Sequence, residues 1–360
     1  MDKLDNLKAI KKLDQSNMLS SVEVLGKQVE QIWEEMEYFR IPDDYKEVEN
    51  VLVDGMGGSG MGALIIQSLY FDKLQVPFQV MHDYHLPQHI GNHSLVILSS
   101  YSGTTEEVLQ AGEESLTRGA KIVGIGTGSK LEKFCTERHL PFLKINPLHN
   151  PCNQPRMGLG YSIFGQFGIL DKVELIKVGG GEVGKIVYLL EEGNKRLGVD
   201  IERADNPAKK MAHMLYGKLV VYTASEFLSG TAYAVRNQMN ENAKQFGFIY
   251  DIPELNHHLM EGLKNPKTNP ENIKWVFLNS EFYDERNRMR IEITKEILKQ
   301  NGIAYTEFKP QSEAKIFQVF ETLGFFSYVN FYLAMLNDLD PSPIPYVDFF
   351  KKELERRRKT

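Results

Sequence analysis

One stretch constrains this chain more than any other. Gly55-Met56-Gly57-Gly58-Ser59-Gly60-Met61-Gly62 stands between an apolar run, Asn50-Val51-Leu52-Val53-Asp54, and a helical opening, Ala63-Leu64-Ile65-Ile66. A strand that runs through glycines into a helix signals an α/β chain with a parallel sheet, and such sheets bind ligands at the carboxyl ends of their strands. Glycine permits a tight turn and bares backbone N–H groups. The helix start adds a positive dipole, so the loop suits an anion. A purely structural turn is the plainer reading. A dinucleotide fingerprint is a third, because Gly55, Gly57 and Gly60 fit G-x-G-x-x-G and Asp83 lies 23 residues beyond Gly60 at the end of the next strand. No lysine follows the glycines, so a Walker A loop is excluded.

The alternation continues along the chain. Residues 78–81, 95–99 and 121–125 read as strands, and residues 106–118 as a helix. Before them, Val22, Leu25, Val29, Ile32, Trp33 and Met36 form one apolar stripe at three- and four-residue spacing. Lys177-Val178-Gly179-Gly180-Gly181-Glu182 reads as a linker, since glycines hold a packed element at an entropic cost. The pattern then restarts. Asn206-Pro207 opens a helix with a capping Asn and a Pro in first position. Strands follow at 219–222, 248–250, 275–278 and 305–308, with a helix at 291–301. A last helix, from Pro345 to about Lys359, ends in a basic cluster that suits the negative end of its dipole and reads as a solvated terminus. The expected division is a helical segment at 1–44, an α/β domain at 45–180, a linker or helix at 181–204, and a second α/β domain with its terminal helix at 205–360.

Composition removes several classes. Hydrophobic residues make up 42% and charged residues 25%, enough apolar material for a large core and too much for general disorder. The net charge of −6 argues against a protein built to neutralise nucleic-acid phosphates. Two cysteines, Cys135 and Cys152, make no disulfide framework and fit a reducing cytoplasm. No apolar run approaches about 18 residues, so no spanning helix is expected. The opening Met1-Asp2-Lys3-Leu4-Asp5 lacks the apolar region of a signal peptide.

A second loop bears on the anion. Ser99-Ser100-Tyr101-Ser102-Gly103-Thr104-Thr105-Glu106 follows the third strand and precedes a helix. Hydroxyls and backbone donors, without Lys or Arg, suit one phosphate monoester at a helix N-terminus. A Ser/Thr-rich helix cap would look the same. A dinucleotide fold has no need of this loop.

Together the two loops resemble the sugar isomerase (SIS) domain, a family of phosphosugar-binding modules. The remaining motifs narrow the resemblance: Pro155-Arg156-Met157-Gly158-Leu159-Gly160-Tyr161, Asn240-Glu241-Asn242-Ala243-Lys244, Pro253-Glu254-Leu255-Asn256-His257, and Asp340-Pro341-Ser342-Pro343-Ile344 leading to Lys351. In this order, from about residue 45 onward, they resemble the bifunctional phosphoglucose/phosphomannose isomerases of archaea and bacteria. The resemblance implies two SIS (flavodoxin-like) subdomains with helix-flanked parallel sheets, and a cytoplasmic homodimer. It implies that Gly58, Ser59, Ser100, Ser102 and Thr105 hold the substrate phosphate. It makes Glu241 the catalytic base, Arg156 the charge stabiliser, and His257 and Lys351 the ring-opening groups, with the histidine arriving from the neighbouring subunit. Two departures stand out. His257-His258-Leu259 replaces a His-Asn-Glu run, and Phe325 and Asn330 replace an Asp and a Ser.

The chemistry agrees with these residue types. Aldose–ketose isomerisation opens a ring, moves a proton between C2 and C1, and passes through an anionic enediolate. A carboxylate serves as the base, a fixed cation stabilises the enediolate, and the unreacted phosphate anchors the sugar. No step asks for a metal or an organic cofactor. His82, His85, His89 and His93 tempt a metal reading, but Pro87 and Gly91-Asn92 prevent a shared helical face. Taken singly, Glu241 reads as a surface acid, His257 as a loop residue, Arg156 as half of an ion pair, and Lys351 competes with Lys352. The expected function is glucose 6-phosphate/fructose 6-phosphate isomerisation, with mannose 6-phosphate as a further substrate and neither nucleic acid nor membrane as partner. A non-catalytic phosphosugar binder and a nicotinamide-dependent dehydrogenase are the rivals.

Overall fold

Two all-parallel sheets carry the fold in a computed structural model that describes residues 2–358. The first sheet has β1 (Asn50–Asp54), β2 (Phe78–Met81), β3 (Ser94–Ser99), β4 (Lys121–Gly126) and β5 (Phe142–Lys144) in the order β2-β1-β3-β4-β5. The second has β6 (Leu219–Ser225), β7 (Gly247–Ile252), β8 (Ile273–Leu278) and β9 (Ala304–Phe308) in the order β7-β6-β8-β9. This is the helix-flanked parallel α/β architecture expected. β3 is buried along its whole length, as a central strand covered on both faces must be.

Helices supply the layers. At the start lie α1 (Leu7–Leu13), α2 (Met18–Glu23) and α3 (Leu25–Glu35). Val22, Leu25, Val29, Ile32 and Met36 of the apolar stripe are all buried. Around the first sheet come α4 (Gly58–Leu69), α5 (Glu106–Thr117), α6 (Ser129–Glu137) and α7 (Leu159–Lys172). Then follow α8 (Gly180–Leu197), α9 (Pro207–Leu215), α10 (Ser229–Gln238), α11 (Asn269–Asn272) and α12 (Glu285–Gln300). The chain closes with α13 (Lys315–Leu336) and α14 (Pro345–Arg358); Lys359, the expected end of the final helix, lies outside the described residues.

Two readings change. The glycine run is the start of α8 rather than a linker: Gly179 occupies the cap, and Glu182 Oε2 accepts its N–H at 3.1 Å. One helix, α13, is also long and apolar enough to cross a membrane, contrary to expectation. Of its most apolar window, 89% is buried inside the protein, so it serves here as a core helix. Phe320 of α13 meets Phe164 of α7 (ring centroids 5.2 Å apart), and Phe326 meets Tyr222 of β6 (5.6 Å). One helix thus joins the cores behind both sheets. α4 and α10, the helices that follow the first strand of each sheet, also touch: a Cβ on Gly230 would come within 2.2 Å of the Leu64 carbonyl.

Candidate active site

The carboxyl end of the first sheet is built for an open helix terminus. Gly57 adopts φ +52° before α4, and no side chain caps that helix. A Cβ on Gly103, with φ +65°, would lie 1.8 Å from the Gly128 carbonyl, so only glycine fits that turn. Ser59 is buried, and its Oγ accepts the Tyr101 N–H at 2.9 Å, which ties the two loops together. Ser100 Oγ lies 2.8 Å from Thr105 Oγ1, and Ser102 Oγ lies 3.0 Å from Thr104 Oγ1. Thr105 stands at the cap of α5 without capping it. The five residues expected at a phosphate therefore occupy one rim, where Gly58 and Ser102 face outward and Ser59 and Ser100 shape the loops from within.

Beneath that rim lies a fully buried carboxyl. Both oxygens of Asp54, the last residue of β1, lack a hydrogen-bond partner. Burial, with Glu107 and Asp83 adding repulsion, pushes its pKa up to about 7.

Arg156 links this rim to the second domain. A Cβ on Gly58 would lie 3.0 Å from the Arg156 Cα, so the glycine loop rests against the short turn Pro155–Met157. The guanidinium is buried and fully engaged. Nε donates to Asn242 Oδ1 (2.5 Å), Nη1 to Gln154 Oε1 (2.8 Å), and Nη2 to the carbonyls of Pro341 (2.9 Å) and Ser342 (2.7 Å). Nη1 also stands 3.7 Å from Glu241 Oε2. A planar fork held at this many points is a rigid cation, which is what stabilising a developing anion requires.

Glu241 sits in a single wide turn, the π-helix Met239–Ala243 that continues α10. Such turns re-aim a side chain at a helix end. Asn242 in the same turn is the residue that holds Arg156, and Gln238 Nε2 donates to the Arg156 carbonyl at 3.1 Å. Burial raises the Glu241 pKa, while Arg156, Lys244 and Lys351 oppose that rise. Lys351 on α14 is thereby placed among the cations that act on Glu241.

His257 ends the short turn Glu254–His257 and is exposed. Among the described residues no hydrogen bond or ion pair joins it to Glu241, Arg156 or Lys351. Within one chain the structure brings Arg156 and Glu241 together, and Lys351 bears on Glu241 through its charge. The four histidines at 82, 85, 89 and 93 are exposed, and no group of three or more His, Cys, Asp or Glu side chains is set for a metal among the described residues.

Residues 204–354 match a family model described as the bacterial phospho-glucose isomerase C-terminal SIS domain. The bifunctional phosphoglucose/phosphomannose isomerase of Caldicellulosiruptor bescii is 30% identical over 94% of this chain and 98% of its own. This chain belongs to the bifunctional phosphoglucose/phosphomannose isomerase family. The family's protein from Aquifex aeolicus is 27% identical over 93% of this chain and 99% of its own. Among solved structures, a hypothetical protein, TT0462, from Thermus thermophilus superposes with a TM-score of 0.75 at 15% identity, covering 98% of this chain and 94% of its own. That likeness supports the fold alone.

Membership in this isomerase family removes the nicotinamide reading. Asp83, its ribose-binding candidate, is exposed and spends Oδ1 on the neighbouring Tyr84 N–H at 2.6 Å. Sequence reasoning also missed several residues in this family member. Gln154, Gln238, Asn242, Lys244 and the carbonyls of Pro341 and Ser342 all bear on Arg156 or Glu241. Only the unbroken Asn-Glu-Asn run hinted at Asn242. Nothing in the sequence marks a carbonyl as a guanidinium partner. The departures Phe325 and Asn330 are core residues: Phe325 stacks on Phe308 (ring centroids 4.3 Å apart), and Asn330 Nδ2 donates to the Val235 carbonyl at 3.1 Å.

Proposed function

We infer that the protein interconverts glucose 6-phosphate, and mannose 6-phosphate, with fructose 6-phosphate. The substrate phosphate rests on the rim formed by Gly58, Ser59, Ser100, Ser102 and Thr105, where main-chain N–H groups and hydroxyls meet two open helix starts. Glu241 carries the proton between C2 and C1. Arg156 stabilises the enediolate oxygen. Lys351 and His257 exchange the protons of ring opening. The observation that carries this reading is the seat of Arg156, whose backbone lies against Gly58 while its guanidinium lies 3.7 Å from Glu241. A sugar held by its tail at the rim then presents its head to an acid–base pair.

The reading includes a cytoplasmic homodimer with shared sites and the four-part division at residues 44, 180 and 204. The exposed His257 supports the sharing. α14 also supports it, since it buries none of its side chains and leaves Phe349 66% and Phe350 64% exposed.

A coupled assay from fructose 6-phosphate tests the activity. Glu241→Gln is expected to lower kcat by about 10²–10⁴-fold while phosphosugar still raises the melting temperature. Wild-type protein that converts neither 6-phosphosugar would leave only the non-catalytic binder. Mixing inactive Glu241→Gln subunits with inactive His257→Ala subunits tests the sharing. Random exchange should restore roughly a quarter of wild-type activity, because half the dimers are mixed and each mixed dimer has one intact site. No recovery would place each site within a single chain.

A further inference from the structure

Arg156 and its neighbour Lys244 both reach a turn that carries no catalytic side chain. Residues 340–342 join α13 to α14, and their main-chain carbonyls all point at cations. Arg156 Nη2 takes the carbonyls of Pro341 and Ser342. Lys244 Nζ takes the Pro341 carbonyl at 2.7 Å and the Asp340 carbonyl at 3.3 Å. Lys244 itself follows the π-helix turn in the left-handed region, with φ +49°, which ends that turn and sends its side chain across to the 340–342 segment. A non-glycine residue held in this region signals a conformation imposed by its surroundings.

We propose that Lys244 is a positioning residue of the site: its ammonium pins the 340–342 turn, and with it the start of α14 that bears Lys351, against Glu241 and Arg156. The electrostatics agree with this geometry. Glu241 faces three cations, Arg156 from the Pro155–Met157 turn, Lys244 from its own turn and Lys351 from α14. Lys244 faces Arg156, Asp340 and Glu241, and Arg156 also senses Asp348 on α14. Crowding around the ammonium, with desolvation first and Arg156 next, brings the Lys244 pKa down to about 8. A cation held at that electrostatic cost beside a carboxylate favours the ionised, basic form of Glu241. Removing it raises the Glu241 pKa, so the acid limb of the rate profile moves to higher pH.

The kinetic half rests on the isomerase reading, so the test has an arm that does not. Full-length Lys244→Met, Lys244→Gln and Lys244→Arg proteins are compared with wild type for fructose 6-phosphate kinetics across pH and for amide hydrogen exchange over residues 338–352. Lys244→Met should lose about tenfold or more in kcat with less than about threefold change in KM, because the phosphate is gripped in the other domain. Its acid limb should move upward and its amides at 338–352 should exchange faster. Lys244→Gln should behave alike and decides the matter if the Met variant does not fold. Lys244→Arg should restore kcat to within about threefold of wild type. An unmoved acid limb overturns the proposal, even with faster exchange, since Lys244 would then be a strut without bearing on Glu241. If wild-type protein isomerises neither sugar, the proposed function fails and exchange alone decides: faster supports the positioning role, unchanged overturns it.

Discussion

After β1 the chain runs through Gly55, Met56 and Gly57 before α4 begins, and after β6 it runs through Glu226, Phe227 and Leu228 before α10. After β3 it takes residues 100–105 to reach α5, and after β8 residues 279–284 to reach α12. The loops match in length, yet their donors meet different fates. In the first domain no side chain caps α4 or α5. In the second, Asp284 accepts the Arg286 N–H at 2.9 Å, and Glu226 Oε1 accepts the Asp284 N–H and Asn287 Nδ2, each at 2.8 Å. The second domain thus supplies its own carboxylates at the start of α12, while the start of α10, like that of α4, has no side-chain cap. One fold, used twice, leaves both helix starts without a side-chain cap in one copy and fills one of the two in the other. The second copy supplies Glu241 from the turn that continues α10.

The buried ends of β1 and β6 give the largest expected contrast. Asp54 has no partner, whereas Ser225, at the matching strand end, donates to the Ile252 carbonyl at 2.9 Å. The folded chain holds the Asp54 proton to about pH 7, and an unfolded aspartate releases it near pH 4. The folded state is therefore favoured most below about pH 4 and loses that advantage as pH rises toward 7, by up to about 4 kcal/mol. Denaturant melts between pH 5 and 8 should show stability falling in wild type and a flattened trend in Asp54→Asn. An equal slope in both proteins would remove Asp54 as the source.

A smaller contrast lies at the rims. Ser102→Ala removes a hydroxyl offered to phosphate and should raise KM for fructose 6-phosphate by roughly tenfold, the scale of one hydrogen bond to a charged group, with kcat little changed. Ser229→Ala, at the start of α10 in the second domain, should leave KM alone. Equal effects would mean that the two rims share the ligand. The smallest effect is expected at Glu226. Glu226→Gln weakens two accepted hydrogen bonds and should cost about 1 kcal/mol in a denaturant melt without touching KM. A change in KM there would show that the second rim is in use.

Much of this was legible in the residues. The glycine run after a short apolar strand announced a parallel sheet, and the structure has one there. The helix start at Asn206-Pro207 was equally plain, and Asn206 Oδ1 does accept the Ala208 and Lys209 N–H groups at 3.0 Å each. Other parts were not legible. α13 escaped notice because a helix buried on every side has no polar face to give it a period. The glycines at 179–181 suggested a loop, yet the capping Glu182 and the apolar face of α8 outweigh their entropy.

By itself the sequence determined most of the strands, their parallel alternation with helices and the kinds of residues that reach the site, because periodicity, glycine turns and caps act over a few neighbours. Only the tertiary structure decided that Arg156 would lie between the glycine loop and Glu241, that Lys244 would reach residues 340–342, and that Glu226 would accept hydrogen bonds from the start of α12. Those contacts join residues far apart in the chain and rest on main-chain carbonyls and buried oxygens, which carry no mark in the order of amino acids.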